Sequence, residues 1–343
     1  MQFRDTTRRL GLTLWLITSL ACGGSNGAGD AATDAAADAV ADGPTRDAAR
    51  PPRLPEASEF LAPNLYDCSA SGPFVAPARP APRGCYRDPS CSERLIAAHR
   101  MAVPFAPENS LSALRSAILL GVDIVETDIR LTSDGEVVLL HDSAVDRTFE
   151  GSGSIRDLSL AEAQALPMKV PRGMLGDFAC DTIPTLPQVF AISQGQLVVE
   201  LEVKDTTAGV RAAEYLRDHD LYDDGFLLCD PDECAAARAA VPDVPLMTRP
   251  RSIAELMAAT ALDPPPAMVH IDPGPDFLNA DTITRIHAVG AKVYASAFLE
   301  ADPAAVLMND ASGYAAMFDR GIDVLQVQYA HWALMSVGRL PAP

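Results

Sequence analysis

Six histidines occur in the chain, and two of them, His99 and His141, each stand just after a short apolar run. Between them Glu126 and Asp128 interrupt an otherwise apolar stretch, Ile124-Val125-Glu126-Thr127-Asp128-Ile129. Read as a strand, that stretch puts both carboxylates on one face and Val125, Thr127 and Ile129 on the other. The same alternation recurs in Leu197-Val198-Val199-Glu200-Leu201-Glu202-Val203-Lys204, where Glu200, Glu202 and Lys204 share a face. Carboxylates buried side by side are costly unless a cation or a proton compensates them. Three or four of them converging on one point suit a hard divalent cation, Ca²⁺ or Mg²⁺, rather than zinc. Imidazoles exchange protons near neutral pH, so His99 and His141 can serve as a base and an acid. Arg100, beside His99, and Lys204, beside Glu202, supply positive charge where a phosphoryl group could be held.

These side chains need a scaffold that brings strand ends together. From about Ser92 short apolar runs alternate with helical patterns. Strands are expected at Leu95–Arg100, Asp123–Thr132, Val137–Asp142, Leu197–Lys204, Gly225–Asp230, Val244–Arg249, Met268–Asp272, Lys292–Phe298 and Val324–Tyr329. Helices are expected at Ser110–Leu120, Ala208–Asp218, Ile253–Ala261, Ala280–Val289 and Ala304–Asp319. Strand–helix alternation predicts a parallel sheet, and this count over about 250 residues fits an eight-stranded (β/α) barrel. The competing architecture, an open doubly wound sheet, would want a Gly-rich nucleotide loop after its first strand, and none is present. In a barrel the apolar strand faces meet the helices and the charged faces point inward, with the last residues of each strand at the mouth.

The N-terminus reads as an export signal: Arg4, Arg8 and Arg9 precede the apolar run Leu10 to Ala21, which is short for a membrane span. Ser19-Leu20-Ala21-Cys22 is similar to a bacterial lipoprotein cleavage box, which would make Cys22 the first mature residue and a lipid-bearing membrane tether; an ordinary secretory signal is the alternative. The expected location is therefore the cell envelope, periplasmic or surface, or else secreted. Residues 23–58, rich in Ala and Asp, read as a disordered tether, 59–91 as a Cys- and Pro-rich extension, and 92–343 as the barrel. Without Cys22, six cysteines remain, an even number compatible with up to three disulfides outside the cytoplasm. A net charge of −19 excludes nucleic acid as a partner, because phosphate neutralisation needs excess Lys and Arg. It leaves room for a small anionic substrate.

The motifs together resemble the glycerophosphodiester phosphodiesterases. The matching text is His99-Arg100, Pro107-Glu108-Asn109-Ser110, Glu126-Thr127-Asp128, Thr132-Ser133-Asp134-Gly135, His141-Asp142, Asp146-Arg147-Thr148, Ile183-Pro184-Thr185-Leu186 and Glu202-Val203-Lys204. The resemblance implies a (β/α)8 TIM barrel that hydrolyses glycerophosphodiesters to glycerol phosphate and an alcohol with one divalent cation, Ca²⁺ or Mg²⁺. It implies Glu126, Asp128 and Glu202 as metal ligands, His99 and His141 as the acid–base pair, and Arg100 and Lys204 as phosphate holders. Glu108 would be a further ligand or a partner close to the metal, with helix entry the plainer role for Asn109 or Ser110. The chain departs from the family at Met101, where a glycine usually follows His-Arg. It departs again at Ser296-Ala297-Phe298-Leu299, where Trp-Thr-x-Asn is usual, and at Val327-Gln328, where Thr-Asp is usual. His270 and Asp272 could replace some of the lost polar groups, although a structural histidine is the plainer reading; His219, His287 and His331 read as helix or surface residues. Two other functions compete: a phospholipase D-like enzyme acting on lysophospholipids, and a non-catalytic barrel lipoprotein that binds a ligand.

Overall fold

The computed structural model describes residues 53–78, 83–272 and 277–343. The export signal, Cys22 and most of the 23–58 stretch lie outside the described residues. Nine strands are seen among the described residues: β1 (Leu95–Ala98), β2 (Ile124–Leu131), β3 (Val137–Leu139), β4 (Val198–Val203), β5 (Gly225–Cys229), β6 (Leu246–Thr248), β7 (Met268–His270), β8 (Lys292–Ser296) and β9 (Val324–Val327). All but β3 are parallel neighbours in one sheet, and β1 pairs with both β2 and β9. The sheet is therefore a closed eight-stranded TIM barrel, as expected.

The Val137–Asp142 run is not a stave of the barrel. β3 folds back antiparallel on β2, with Ile129 opposite Leu139 and Leu131 opposite Val137. The link Thr132-Ser133-Asp134-Gly135-Glu136 is far too short for a crossover, and Gly135 takes φ +85°, so only a hairpin can form. The hairpin carries His141 back towards the C-terminal ends of the barrel strands.

Strand alternation sorts the side chains as expected. Val125, Ile129, Leu201 and Val203 join the helical layer with Leu114, Ile118, Ala212 and Leu216. Ile124, Val198, Phe226, Met268, Tyr294 and Val324 fill the barrel interior. Cys85 and Tyr86 close the barrel's N-terminal end: the Tyr86 ring stacks on Phe226 at 5.0 Å, and its hydroxyl donates to the Tyr222 carbonyl at 2.5 Å. The six cysteines form three disulfides, Cys68–Cys180, Cys85–Cys91 and Cys229–Cys234.

Two local differences have clear causes. The last residues of the stretch read as a tether are packed: Leu54 and Ala57 lie on the helical core, and Trp332 Nε1 donates to the Pro55 carbonyl at 2.7 Å. The helix expected over 304–319 is two helices, Ala301–Met308 and Ser312–Asp319. Asn309 breaks it by taking the left-handed conformation at φ +58°, which asparagine tolerates and which ends a helix. The helix after β1 is closer to expectation, Leu111–Leu120, capped by the Ser110 hydroxyl accepting from the Ala113 amide and ended by Gly121 at φ +78°.

Candidate active site

Parallel pairing of β2 and β4 sets Glu126 opposite Glu200 and Asp128 opposite Glu202. Four acids thus stack in two layers at the upper end of the barrel interior. One oxygen each from Glu126, Asp128 and Glu202 lies within 4.8 Å of the others. Asn109 fixes Asp128: its Nδ2 donates to Oδ2 at 3.0 Å while its Oδ1 accepts from Thr127 Oγ1 at 2.7 Å. Asn109 does this from a left-handed backbone, φ +55°, so Ser110 rather than Asn109 enters the helix.

The electrostatics of the cluster are unequal. Burial, then the charges of Asp128, Glu202 and Glu200, push Glu126 well above the usual carboxylate range. Burial also pushes Glu200 to about 8, although the Tyr294 hydroxyl donating to it at 2.6 Å opposes the shift. Burial would raise Glu202 as well, but Lys204 and Arg249 outweigh it and hold this carboxyl at about 2. Both cations meet the same oxygen, Lys204 Nζ at 2.6 Å and Arg249 Nη2 at 2.9 Å from Glu202 Oε1. Lys204 also lies 3.1 Å from Asp128 Oδ1.

Glu126 Oε1 is buried and has no hydrogen-bond partner. A buried carboxylate oxygen left bare is costly, and a cation among Glu126, Asp128 and Glu202 would satisfy it. All three donors are carboxylate oxygens, a set that fits a hard divalent cation of the Ca²⁺ or Mg²⁺ type.

His99 follows β1 directly and begins a tight turn. Arg100, Met101 and Ala102 in that turn sit at φ +47°, +66° and +75°. Such angles in non-glycine residues store strain. The turn aims the Arg100 amide at Glu126 Oε2, 2.9 Å away, and leaves His99 Nε2 3.7 Å from the same oxygen. Burial, then the charge of Arg100, lowers the His99 pKa to about 4, so this imidazole is neutral at ordinary pH. His141 is oriented differently, with Nδ1 2.7 Å from Asp142 Oδ1. Arg130 holds its backbone, donating to the His141 carbonyl at 2.7 and 3.0 Å.

His99 and His141 line one cavity of about 510 Å³ together with Glu202, Lys204, Arg249, His270 and Gln326. The residues singled out by their spacing are thus gathered at one mouth, with two refinements. The Arg100 guanidinium is turned away to Glu108 Oε1 at 2.9 Å, with Nε 3.9 Å from Asp128. Glu108 is a partner of arginines rather than a fourth corner of the acid triangle, because Arg147 also grips it with two bonds of 2.7 Å.

Arg147, Arg249 and Tyr294 gained no role from the sequence. Arg147 lies inside a motif, but a lone cation in a loop has no period to mark it. Arg249 had one usable signal, its place as the last residue of an expected strand. On the other wall His270 is buried, its Nε2 3.0 Å from Ser296 Oγ, which donates to Gln326 Oε1 at 2.9 Å. Burial, then Arg249, lowers the His270 pKa to about 3. Phe298 packs on His99 with ring centroids 4.7 Å apart. His331 is a helix residue but not a surface one: it is buried between Phe60 and Phe105.

Comparison with known proteins agrees with this geometry. Over 111 residues the chain is 40% identical to a glycerophosphodiester phosphodiesterase of Caldanaerobacter subterraneus, covering 32% of this chain and 45% of that protein. It is 43% identical over 94 residues to human glycerophosphodiester phosphodiesterase 1, covering 27% of this chain and 28% of the human protein. The aligned region thus spans less than half the length of either relative. Among solved structures, an Oleispira antarctica phosphodiesterase in complex with the product sn-glycerol-3-phosphate superposes with a TM-score of 0.57 at 26% identity, over 72% of this chain and 97% of that one. A glycerophosphoryl diester phosphodiesterase from Parabacteroides distasonis gives a TM-score of 0.63 at 20% identity, over 76% and 91%. The model of the glycerophosphoryl diester phosphodiesterase family matches residues 99–295, more than half of the chain, and the chain belongs to that family.

Proposed function

We propose that the chain hydrolyses glycerophosphodiesters to glycerol phosphate and an alcohol, using one divalent cation, Ca²⁺ or Mg²⁺. The observation that carries this reading is the convergence of Glu126, Asp128 and Glu202 beside a cavity lined by His99, His141 and Lys204. Glu126, Asp128 and Glu202 would hold the cation, and its binding there would supply polarisation of a phosphoryl oxygen and offset charge developing on the phosphate.

The chain's own groups do the rest. His99, kept neutral by burial, takes a proton from the attacking water, whose oxygen joins the phosphorus as the alcohol leaves. His141, with Nδ1 tied to Asp142, uses Nε2 to deliver a proton to the leaving alcohol oxygen. Lys204 neutralises the phosphate, and Arg100 can swing to it from Glu108. We further propose that the protein is exported and tethered to the cell envelope through a lipidated Cys22.

The test is a head-group panel that includes glycerophosphocholine, glycerophosphoethanolamine and a lysophospholipid, read by release of the alcohol. Water-soluble glycerophosphodiesters should be cleaved, and His141→Ala should lose about 10²-fold or more in kcat. Full activity in His141→Ala would sink the acid–base assignment, and turnover of the lysophospholipid alone would move the substrate class.

A further inference from the structure

One cation at the barrel mouth takes no part in the chemistry above. Arg249 follows β6 directly, and Leu246 of that strand joins the helical layer while Met247 fills the barrel interior. Alternation therefore turns Arg249 inward with Met247, across the end of β5 to Glu202 on β4. Its side chain is 22% exposed, buried enough to be held in place and open enough to meet a solute. It lines the cavity of about 510 Å³ that holds His99, His141 and Lys204. It also lines a second cavity of about 240 Å³, which shares Glu202 and Lys204 with the first and adds Leu228, Asp230 and Glu233. The guanidinium thus stands where the two cavities meet.

The guanidinium is held at one corner only. Nη2 donates to Glu202 Oε1 at 2.9 Å, Nε is buried without a partner, and Nη1 has none among the described residues. A planar fork left mostly unsatisfied suits an oxyanion, which can take two parallel hydrogen bonds from it. The other cations at the mouth are more heavily engaged. Arg100 is turned to Glu108, and Lys204 Nζ is shared between Glu202 at 2.6 Å and Asp128 at 3.1 Å. Charge points the same way. Lys204 and Arg249 meet a single oxygen of Glu202, a carboxylate that can neutralise only one of them. Asp230 and Glu233 border the second cavity, yet among the described residues neither forms an ion pair with Arg249; Glu233 instead accepts the Asp230 amide at 3.1 Å to start the helix Pro231–Ala240. With Glu126, Asp128 and Glu202 engaged by a divalent cation, the positive charge of Lys204 and Arg249 is left for an anion.

We infer that Arg249 is a further phosphate-binding residue, which clamps a non-bridging oxygen of the phosphodiester and of the phosphate monoester left after cleavage. The identity of that anion rests on the phosphodiesterase reading. Arg249 reaches it at little cost, since it gives up at most its one hydrogen bond to Glu202. Arg100, by contrast, must first leave Glu108.

The experiment is isothermal titration calorimetry of sn-glycerol 3-phosphate into the full chain at saturating Ca²⁺ or Mg²⁺. Arg249→Gln should weaken that binding by about tenfold or more, as expected for losing hydrogen bonds to a charged group. Arg249→Lys keeps a charge beside Glu202 but not the fork, so its affinity should fall between the two. It also carries the test if a thermal scan shows that the Gln variant does not fold. The cation alone, titrated into Arg249→Gln, should bind at least as tightly as to the parent, because Glu202 loses a competing positive charge. Absence of glycerol phosphate binding by the parent, or equal affinity in the parent and either folded variant, would overturn the inference. So would loss of cation binding in Arg249→Gln, which would make Arg249 a support for the acids rather than a phosphate contact. Both titrations read binding and not turnover. A parent that binds glycerol phosphate through Arg249 but cleaves nothing would therefore refute the catalytic reading and leave this inference standing.

Discussion

Arg147 grips Glu108 with two hydrogen bonds of 2.7 Å and reaches Asp142 Oδ2 with its Nε at 2.6 Å. Asp142 in turn sets His141, so one exposed arginine links the residue that holds Arg100 to the residue that holds an imidazole. A rigid guanidinium fork is needed for this, and an ammonium cannot replace it. Arg147→Lys should therefore lower kcat by about 10- to 100-fold with little change in Tm. Steady-state kinetics with unchanged kcat would show that His141 is oriented by other means.

Glu126 is the acid least comfortable without a cation, because it is buried among three other carboxyls. Glu126→Gln removes that conflict. In metal-free protein the Tm should hold or rise, while the Tm increase caused by saturating Ca²⁺ or Mg²⁺ should be largely lost. Thermal scans with and without cation check both halves. An undiminished cation shift in the variant would place the cation elsewhere.

The acid pairs were legible because a period-two pattern places carboxylates and aliphatic residues on opposite strand faces with no further information. Their convergence was legible too, since a parallel crossover from one carboxylate-bearing strand to the next sets Glu202 beside Asp128. Other parts were hidden for physical reasons. Val137–Asp142 has the pattern of any short strand, so its own residues do not show that it leaves the barrel; only the short link before it does. The apolar rhythm of 304–319 continues across Asn309, so the break there is visible only as a backbone angle stabilised by the Leu54 amide. Arg147, Arg249 and Tyr294 act through a few irregularly spaced contacts, which leave no local period. The partners of Cys68 and Cys180, 112 residues apart, depend on tertiary packing for the same reason.

Tyr86 is fully buried at the base of the barrel, although it belongs to the Cys- and Pro-rich segment before the first strand. Its ring on Phe226 makes that segment part of the core. Tyr86→Ala should destabilise the protein by about 3–5 kcal/mol, the usual cost of emptying an aromatic site. Urea unfolding measures this, and a loss below about 1 kcal/mol would mean that the plug contributes little.

His331 is buried with Nδ1 unpartnered, and burial lowers its pKa to about 3. In the unfolded chain it titrates near 6.5. Above pH 6.5 neither state binds the proton. Between about 6.5 and 3 only the unfolded state does, so stability falls as pH drops through that window. At pH 5 the loss from this residue is about 2 kcal/mol, and His331→Phe should remove it. Urea midpoints of both proteins at pH 7 and pH 5 give the comparison. An equal acid-induced loss in the two would show that His331 takes up its proton in the folded state.

The central claim is that a divalent cation held by Glu126, Asp128 and Glu202 allows this barrel to cleave glycerophosphodiesters. The most direct measurement is ³¹P NMR of glycerophosphocholine incubated with EDTA-treated protein, followed by Ca²⁺ or Mg²⁺. No product should form before the addition, and glycerol phosphate should accumulate after it. Cleavage at full rate in EDTA, or no cleavage of any glycerophosphodiester with either ion, would contradict the account.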